Sequence, residues 1–162
     1  MDFGCYNALW SLWYFGRPDT VYATVNHLRP GRFPKVEDNA NMILSYKNRV
    51  GVFEGSWDLP RSYQDLEIFG LKGSLYMKNG EVDLRSGGET QKIDIAPLDP
   101  DRSEPIGYML SRMRSNRPIE GLTALEINVE VVEIIEAAKQ SVVTARAIRL
   151  PLQDRSGSAG FD

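Results

Sequence analysis

Along the first fifteen residues the apolar side chains Phe3, Leu9, Trp10, Leu12 and Trp13 recur at mixed three- and four-residue intervals. That spacing predicts an amphipathic helix, with Asp2 as cap or first-turn anion and Gly16 as its stop ahead of Pro18. From about residue 21 to 96 the period shortens to two, β-branched and aromatic residues accumulate, and Gly, Pro and Asn divide the segments. Strands are predicted over residues 21–28, 39–46, 50–57, 63–69, 74–77, 81–85 and 91–96. In the second of them Ala40, Met42, Leu44 and Tyr46 share a face. Asn79-Gly80 is the strongest hairpin signal, because a type I′ turn needs positive φ at both central residues, whereas Gly87-Gly88 reads as a loop. A short helix is predicted over 106–113, a longer one from 122 to about 140, and a last strand over 144–150. In the longer helix Ile127, Val131, Ile134 and Ala138 make an apolar stripe that Val132 and Ile135 broaden, and Glu126, Glu130, Glu133 and Glu136 line a solvated side. The Gly- and Ser-bearing tail 153–162 is expected to be flexible.

These elements define an α+β fold: an open, predominantly antiparallel mixed sheet of about seven or eight strands with about three helices on one face. Three helices cover about one face of such a sheet, and apolar residues occur on both sides of several strands. A bare face of that size would exceed the few hundred Å² of contiguous apolar surface typical of monomers, so it is expected to pack against a second copy of the chain. The alternative is a sandwich in which the sheet curls over itself.

The composition narrows the chemistry. The chain has 162 residues, 42% hydrophobic and 25% charged, which suits one ordinary globular domain over residues 1–152. A formal charge of −3 lacks the basic excess of a nucleic-acid binder. A single cysteine, Cys5, excludes an intrachain disulfide, and a single histidine, His27, excludes any site needing several His ligands. No apolar run reaches the roughly 18 residues of a membrane span and no signal peptide opens the chain, so a cytoplasmic, reducing setting is expected. The chain starts directly in its first packed helix, as an internal cut would. No metal site is predicted, and no Gly-rich dinucleotide fingerprint, phosphate loop, nucleophile elbow or His-Glu-x-x-His occurs, so no cofactor-binding residue is expected on this chain. His27 is read as a strand residue with a satisfied ring. Glu37-Asp38 and Glu54 either line a polar cleft or sit at a sheet margin. Asp2 and Tyr6, four residues apart, lie one helical turn from each other; the phenol is a usable proton donor if a neighbouring cation or donor lowers its pKa from about 10. A helix cap followed by an interfacial Tyr would give the same pair.

Met-Asp-Phe-Gly-Cys-Tyr-Asn at positions 1–7, followed by Trp13 and Gly16-Arg17-Pro18, resembles the Asp-x-Gly-x-His/Tyr helix that opens the C-terminal domain of the glucose-fructose oxidoreductase/inositol dehydrogenase/rhizopine catabolism (Gfo/Idh/MocA) family. Val36-Glu37-Asp38-Asn39, Glu54-Gly55-Ser56-Trp57, Ile68-Phe69-Gly70 with Gly73-Ser74, and the stretch from Leu122 through Ser141 and Arg146 to Leu150 continue the likeness in the same order. The resemblance implies the C-terminal substrate-binding and oligomerisation domain of an NAD(P)-dependent oxidoreductase acting on a sugar, polyol or related diol. It further implies that a nucleotide-binding Rossmann domain, absent from this chain, precedes residue 1 in the full-length protein and brings the NAD or NADP. The isolated chain is then inactive and needs no cofactor of its own. The resemblance assigns catalysis to Asp2, as the family's helix carboxylate, and to Tyr6, where most members carry His. It implies a dimer or tetramer formed through the open sheet face. A stand-alone, non-catalytic dimeric binding or assembly domain is the alternative, with an unrelated small-ligand scaffold as a third reading.

Overall fold

The computed structural model describes residues 4–59 and 65–152. The elements follow one another as α1 (Gly4–Phe15), β1 (Thr20–Asn26), β2 (Asn39–Tyr46), β3 (Arg49–Ser56), β4 (Leu66–Gly70), β5 (Gly73–Lys78), β6 (Glu81–Ser86), β7 (Glu89–Ile93), α2 (Pro105–Arg114), α3 (Leu125–Thr144) and β8 (Ile148–Arg149). The α+β class and the open, antiparallel character hold. The eight strands divide into two sheets of four, ordered β3-β2-β1-β8 and β4-β5-β6-β7. They belong to two compact units, residues 1–58 with 112–162 and residues 59–111.

In the first unit α1 and α3 cover one face of the sheet. The strands alternate as expected: Val21 pairs with Leu44 and Ala23 with Met42, and all four are buried against the helices. From α1 the core takes Ala8 and Leu12, with Ser11 buried beside them, while Trp10 and Trp13 stay exposed. The predicted large aromatics thus give way to small residues, which let the helix approach the sheet closely. From α3 it takes Val131, Ile134, Ala137 and Ala138; Val132, expected to widen this stripe, is two-thirds exposed at 67%. The opposite face carries Tyr22, Ile43 and Val52 in one register row, with Ile43, Val50 and Val52 all exposed.

α3 begins at Leu125, after a 3-10 turn at Gly121–Thr123, and runs on to Thr144. Thr144, predicted to open the last strand, instead ends this helix, which burial of Ala138 and Ser141 carries past the predicted stop near residue 140; context overrides propensity. β8 is left with two residues, which pair with Thr20 and Val21 of β1. Past that short pairing, Ser141 replaces a strand. Its hydroxyl accepts the Ala23 N–H at 2.9 Å and donates to the Arg146 carbonyl at 2.6 Å. Among the glutamates of α3, Glu130 and Glu133 form ion pairs with Arg17, and Glu133 accepts the Leu152 N–H at 2.8 Å, so this side is only partly a solvated one.

The second unit is a meander. Asn79 and Gly80 have φ of 53° and 78°, as a type I′ turn requires. Gly87 and Gly88, at 61° and 85°, join β6 to β7 in the same tight manner, and for that reason β7 starts two residues earlier than predicted. A Cβ on Gly73 would lie 2.4 Å from the Arg85 carbonyl oxygen, so the β5–β6 pairing admits no side chain there. Leu66, Met77, Val82 and Ile93 form an apolar row on one face. Glu67, Tyr76, Asp83 and Lys92 form a polar row on the other, where the Arg85 guanidinium lies 4.0 Å from the Tyr76 ring centroid. The predicted Tyr63 and the tail 153–162 lie outside the described residues.

Candidate functional site

In the first unit, a cleft of about 150 Å³ opens where the start of α1 meets the chain entering β2 and the end of β3. Gly4 and Asn7 supply the α1 wall, Val36, Glu37 and Asp38 the opposite wall, and Met42, Phe53 and Trp57 the apolar floor. Asn7 Nδ2 donates to the Glu54 carbonyl at 3.4 Å, tying the helix to β3.

The wall opposite α1 is built by one carboxylate. Asp38, only 2% exposed, accepts the N–H groups of Leu28 and Arg29 at 2.7 and 2.6 Å, closing the loop between β1 and β2. Burial alone would raise its pKa, but these hydrogen bonds and the neighbouring His27 outweigh it and hold the carboxyl below the ordinary range. His27 sits just past β1, exposed, its Nε2–H donating to the Phe33 carbonyl; its ring is satisfied as expected, though outside the strand. The Phe33 ring packs on Trp57 with centroids 5.2 Å apart, so loop and cleft floor support each other. Arg29 pairs with Asp58.

Next to the cleft a polar ladder crosses three strands. Asn39 Oδ1 accepts from Asn26 and Asn41 at 3.4 and 3.2 Å, and its Nδ2 donates to Glu54 Oε1 at 3.1 Å. Farther along α1, the Ser11 and Tyr46 hydroxyls lie 2.5 Å apart, and burial raises the phenol pKa of Tyr46.

Glu37 and Asp38 therefore line a cleft, the first of the two readings open to them, and Glu54 sits beside it. Tyr6 is 60% exposed on α1 and is not part of the lining. It lies about 100° around the helix from Asn7. Asp2 falls outside the described residues. Asn7 and Trp57 were legible only as a polar residue after Tyr6 and as the last aromatic of a strand; the signal for the ladder was the break in apolar alternation at Asn39 and Asn41. Among the described residues no group of His, Cys, Asp or Glu could hold a metal ion, and no helix is long and apolar enough to cross a membrane.

Residues 1–76 match the family model described as the GFO/IDH/MocA C-terminal domain. That stretch, just under half of the chain, is similar to that domain. Solved structures agree with most of the chain in fold. A Klebsiella pneumoniae protein provisionally described as an oxidoreductase superposes with a TM-score of 0.75 at 19% identity, over 94% of this chain and 49% of its own. Aldose-aldose oxidoreductase from Caulobacter crescentus, solved with glycerol, gives 0.74 at 18% identity over 91% of this chain and 46% of its own. Biliverdin reductase from Synechocystis sp. PCC 6803, in complex with biliverdin and NADP⁺, gives 0.68 at 14% identity over 86% and 45%. The chain thus spans about half the length of these relatives. No curated protein matches it. The described part of the chain does not fit a dinucleotide: every strand pairing is antiparallel, and no Gly-rich turn joins a strand to a helix N-terminus as pyrophosphate binding requires.

Proposed function

We propose that this chain is the substrate-binding and assembly half of an NAD(P)-dependent oxidoreductase acting on a sugar, polyol or related diol in the cytoplasm, with the nucleotide held by another domain of the full-length protein. The observation that carries the reading is the exposed Tyr6 on a family-type helix whose neighbouring residue, Asn7, opens into a mixed polar and apolar cleft. An exposed phenol beside such a cleft suits a site that a second domain completes. In this reading Tyr6 exchanges the proton of the reacting hydroxyl, and Asp2 orients the groups around it. The sheet face bearing Ile43, Val50 and Val52 is the surface that a second copy covers.

The test is Tyr6→Phe in the full-length enzyme. Removal of a general acid-base is expected to lower kcat by about 10²–10⁴-fold with little change in KM; unchanged turnover would remove Tyr6 from the chemistry. The same preparation, weighed by light scattering at micromolar concentration, is expected to be a dimer or larger, and a monomer would remove the assembly part.

A further inference from the structure

The outer side of α3 is patterned for a partner. Leu125, Val129, Val132, Glu136, Lys139 and Val143 are all exposed and follow one another at alternating four- and three-residue steps. At about 100° per residue they fall within an arc of about 80°, on the side of the helix opposite the buried Ile134 and Ser141. The four apolar members are 57–86% exposed. Three of them are valines, which a solvated helix surface disfavours, so helix propensity does not account for them. A repeat of this kind is the seam along which two helices pack, and it is open because α1 and the sheet meet α3 along its other sides.

The two charges in the seam decide which helix fits it. Glu136 and Lys139 form an i,i+3 pair at 3.8 Å, and both side chains are more than half exposed. Consider a second α3 running antiparallel, related by a two-fold axis midway between residues 136 and 139. Glu136 of each copy then meets Lys139 of the other, and Val132 meets Val143. The four charges alternate in sign around the axis, with valines on either side. Leu125 and Val129 continue the seam past the partner's helix end at Thr144. Moving the axis by half a heptad, to midway between Val132 and Glu136, would set each charge against a valine and strip it of its counter-ion. A parallel pair in register would set Glu on Glu and Lys on Lys. Only the antiparallel copy in the first register matches apolar to apolar and acid to base.

We propose that the outer face of α3 is a self-complementary docking surface, occupied by the same helix of a second copy in antiparallel orientation, with Glu136 and Lys139 fixing the register. In the first unit α3 packs on the side of the sheet opposite Ile43, Val50 and Val52, so this contact is separate from the sheet-face assembly and does not rest on it. One helix pair covers less than the about 1,600 Å² of a standard interface, which makes it a weak contact, with dissociation in about the micromolar range.

The experiment is sedimentation equilibrium of the 162-residue chain, alone and with Val52→Lys, which puts a charge on the open sheet face and isolates the helix contact. In that background a monomer–dimer equilibrium is expected. Lys139→Glu and Glu136→Lys each set like charges across the axis and are expected to weaken dimerisation by about ten-fold or more. The double variant Glu136→Lys/Lys139→Glu is expected to restore it. So is an equal mixture of the two single variants, because one supplies the lysines and the other the glutamates. Lys72→Glu, the same change of net charge at an exposed turn, is expected to leave dimerisation as it was. Unchanged far-UV circular dichroism shows that each variant is folded. A Val52→Lys chain that stays monomeric up to its solubility limit, single reversals without effect, a double variant or mixture that stays apart, or an equal loss with Lys72→Glu would each overturn the proposal. If Val52→Lys leaves the mass of the parent unchanged while the α3 reversals lower it, the sheet-face reading falls and the helix contact stands; the opposite pair of results does the reverse.

Discussion

The two units build four-stranded antiparallel sheets by different means. In the first, eleven side chains from α1, α3, the sheet and Leu150 form a buried cluster, and the strands hold their places because one face of each is removed from water. In the second, no strand residue is fully buried; β4 to β7 are set by cross-strand hydrogen bonds and tight turns, including glycines at positive φ. Register in the first is therefore dictated by burial and in the second by turn geometry. The candidate cleft lies on the buried unit, where side-chain positions are tightly specified, and packing of this kind is what a selective site needs.

The largest expected difference is in the core. Leu44→Ala, at a fully buried position, should cost about 2–5 kcal/mol in denaturant unfolding, and Leu84→Ala, at a half-buried position of β6, no more than about half of that. Equal costs would abolish the contrast between the units. A smaller contrast concerns two serines with similar bonds in different surroundings. Ser141→Ala should cost about 1–3 kcal/mol, since it strands the buried Ala23 N–H, whereas Ser86→Ala, whose hydroxyl donates to Lys72 O at an exposed site, should stay within about 0.5 kcal/mol.

The smallest effect is one of pH. Because the folded pKa of Asp38 lies below its ordinary value, its contribution is complete near neutrality and lost as pH falls through the acid range below about 4. Thermal melts from pH 7 down to pH 3 should show Asp38→Asn with a lower Tm at neutrality and a shallower loss on acidification than the parent. A parallel decline in both proteins would mean that the loop carboxylate does not couple to folding.

Much of this was legible locally. The β2 span, the Asn79-Gly80 turn, the first helix and the family motifs all follow from short-range patterns, because side-chain periodicity and turn chemistry act over a few residues. The Gly87-Gly88 turn carried the same signal, since Gly-Gly satisfies the φ requirement of Asn-Gly, but it was read only as a loop. Other features had no local signature. Which side of α1 faces inward depended on how closely Ala8 and Ser11 let it approach the sheet, and the cleft depended on Asn7 and Trp57 meeting from elements 50 residues apart.

By itself the sequence determined the alternation of strands, the places where the chain turns, the family to which its opening helix points and the shortage of helices for so many strands. Only the tertiary structure decided that the strands divide into two sheets, that α3 extends through Thr144, and that Asn7 rather than Tyr6 lines the cleft. The reason is physical: turns and periodicity are properties of neighbours along the chain, whereas burial is conferred by partners that only folding brings together.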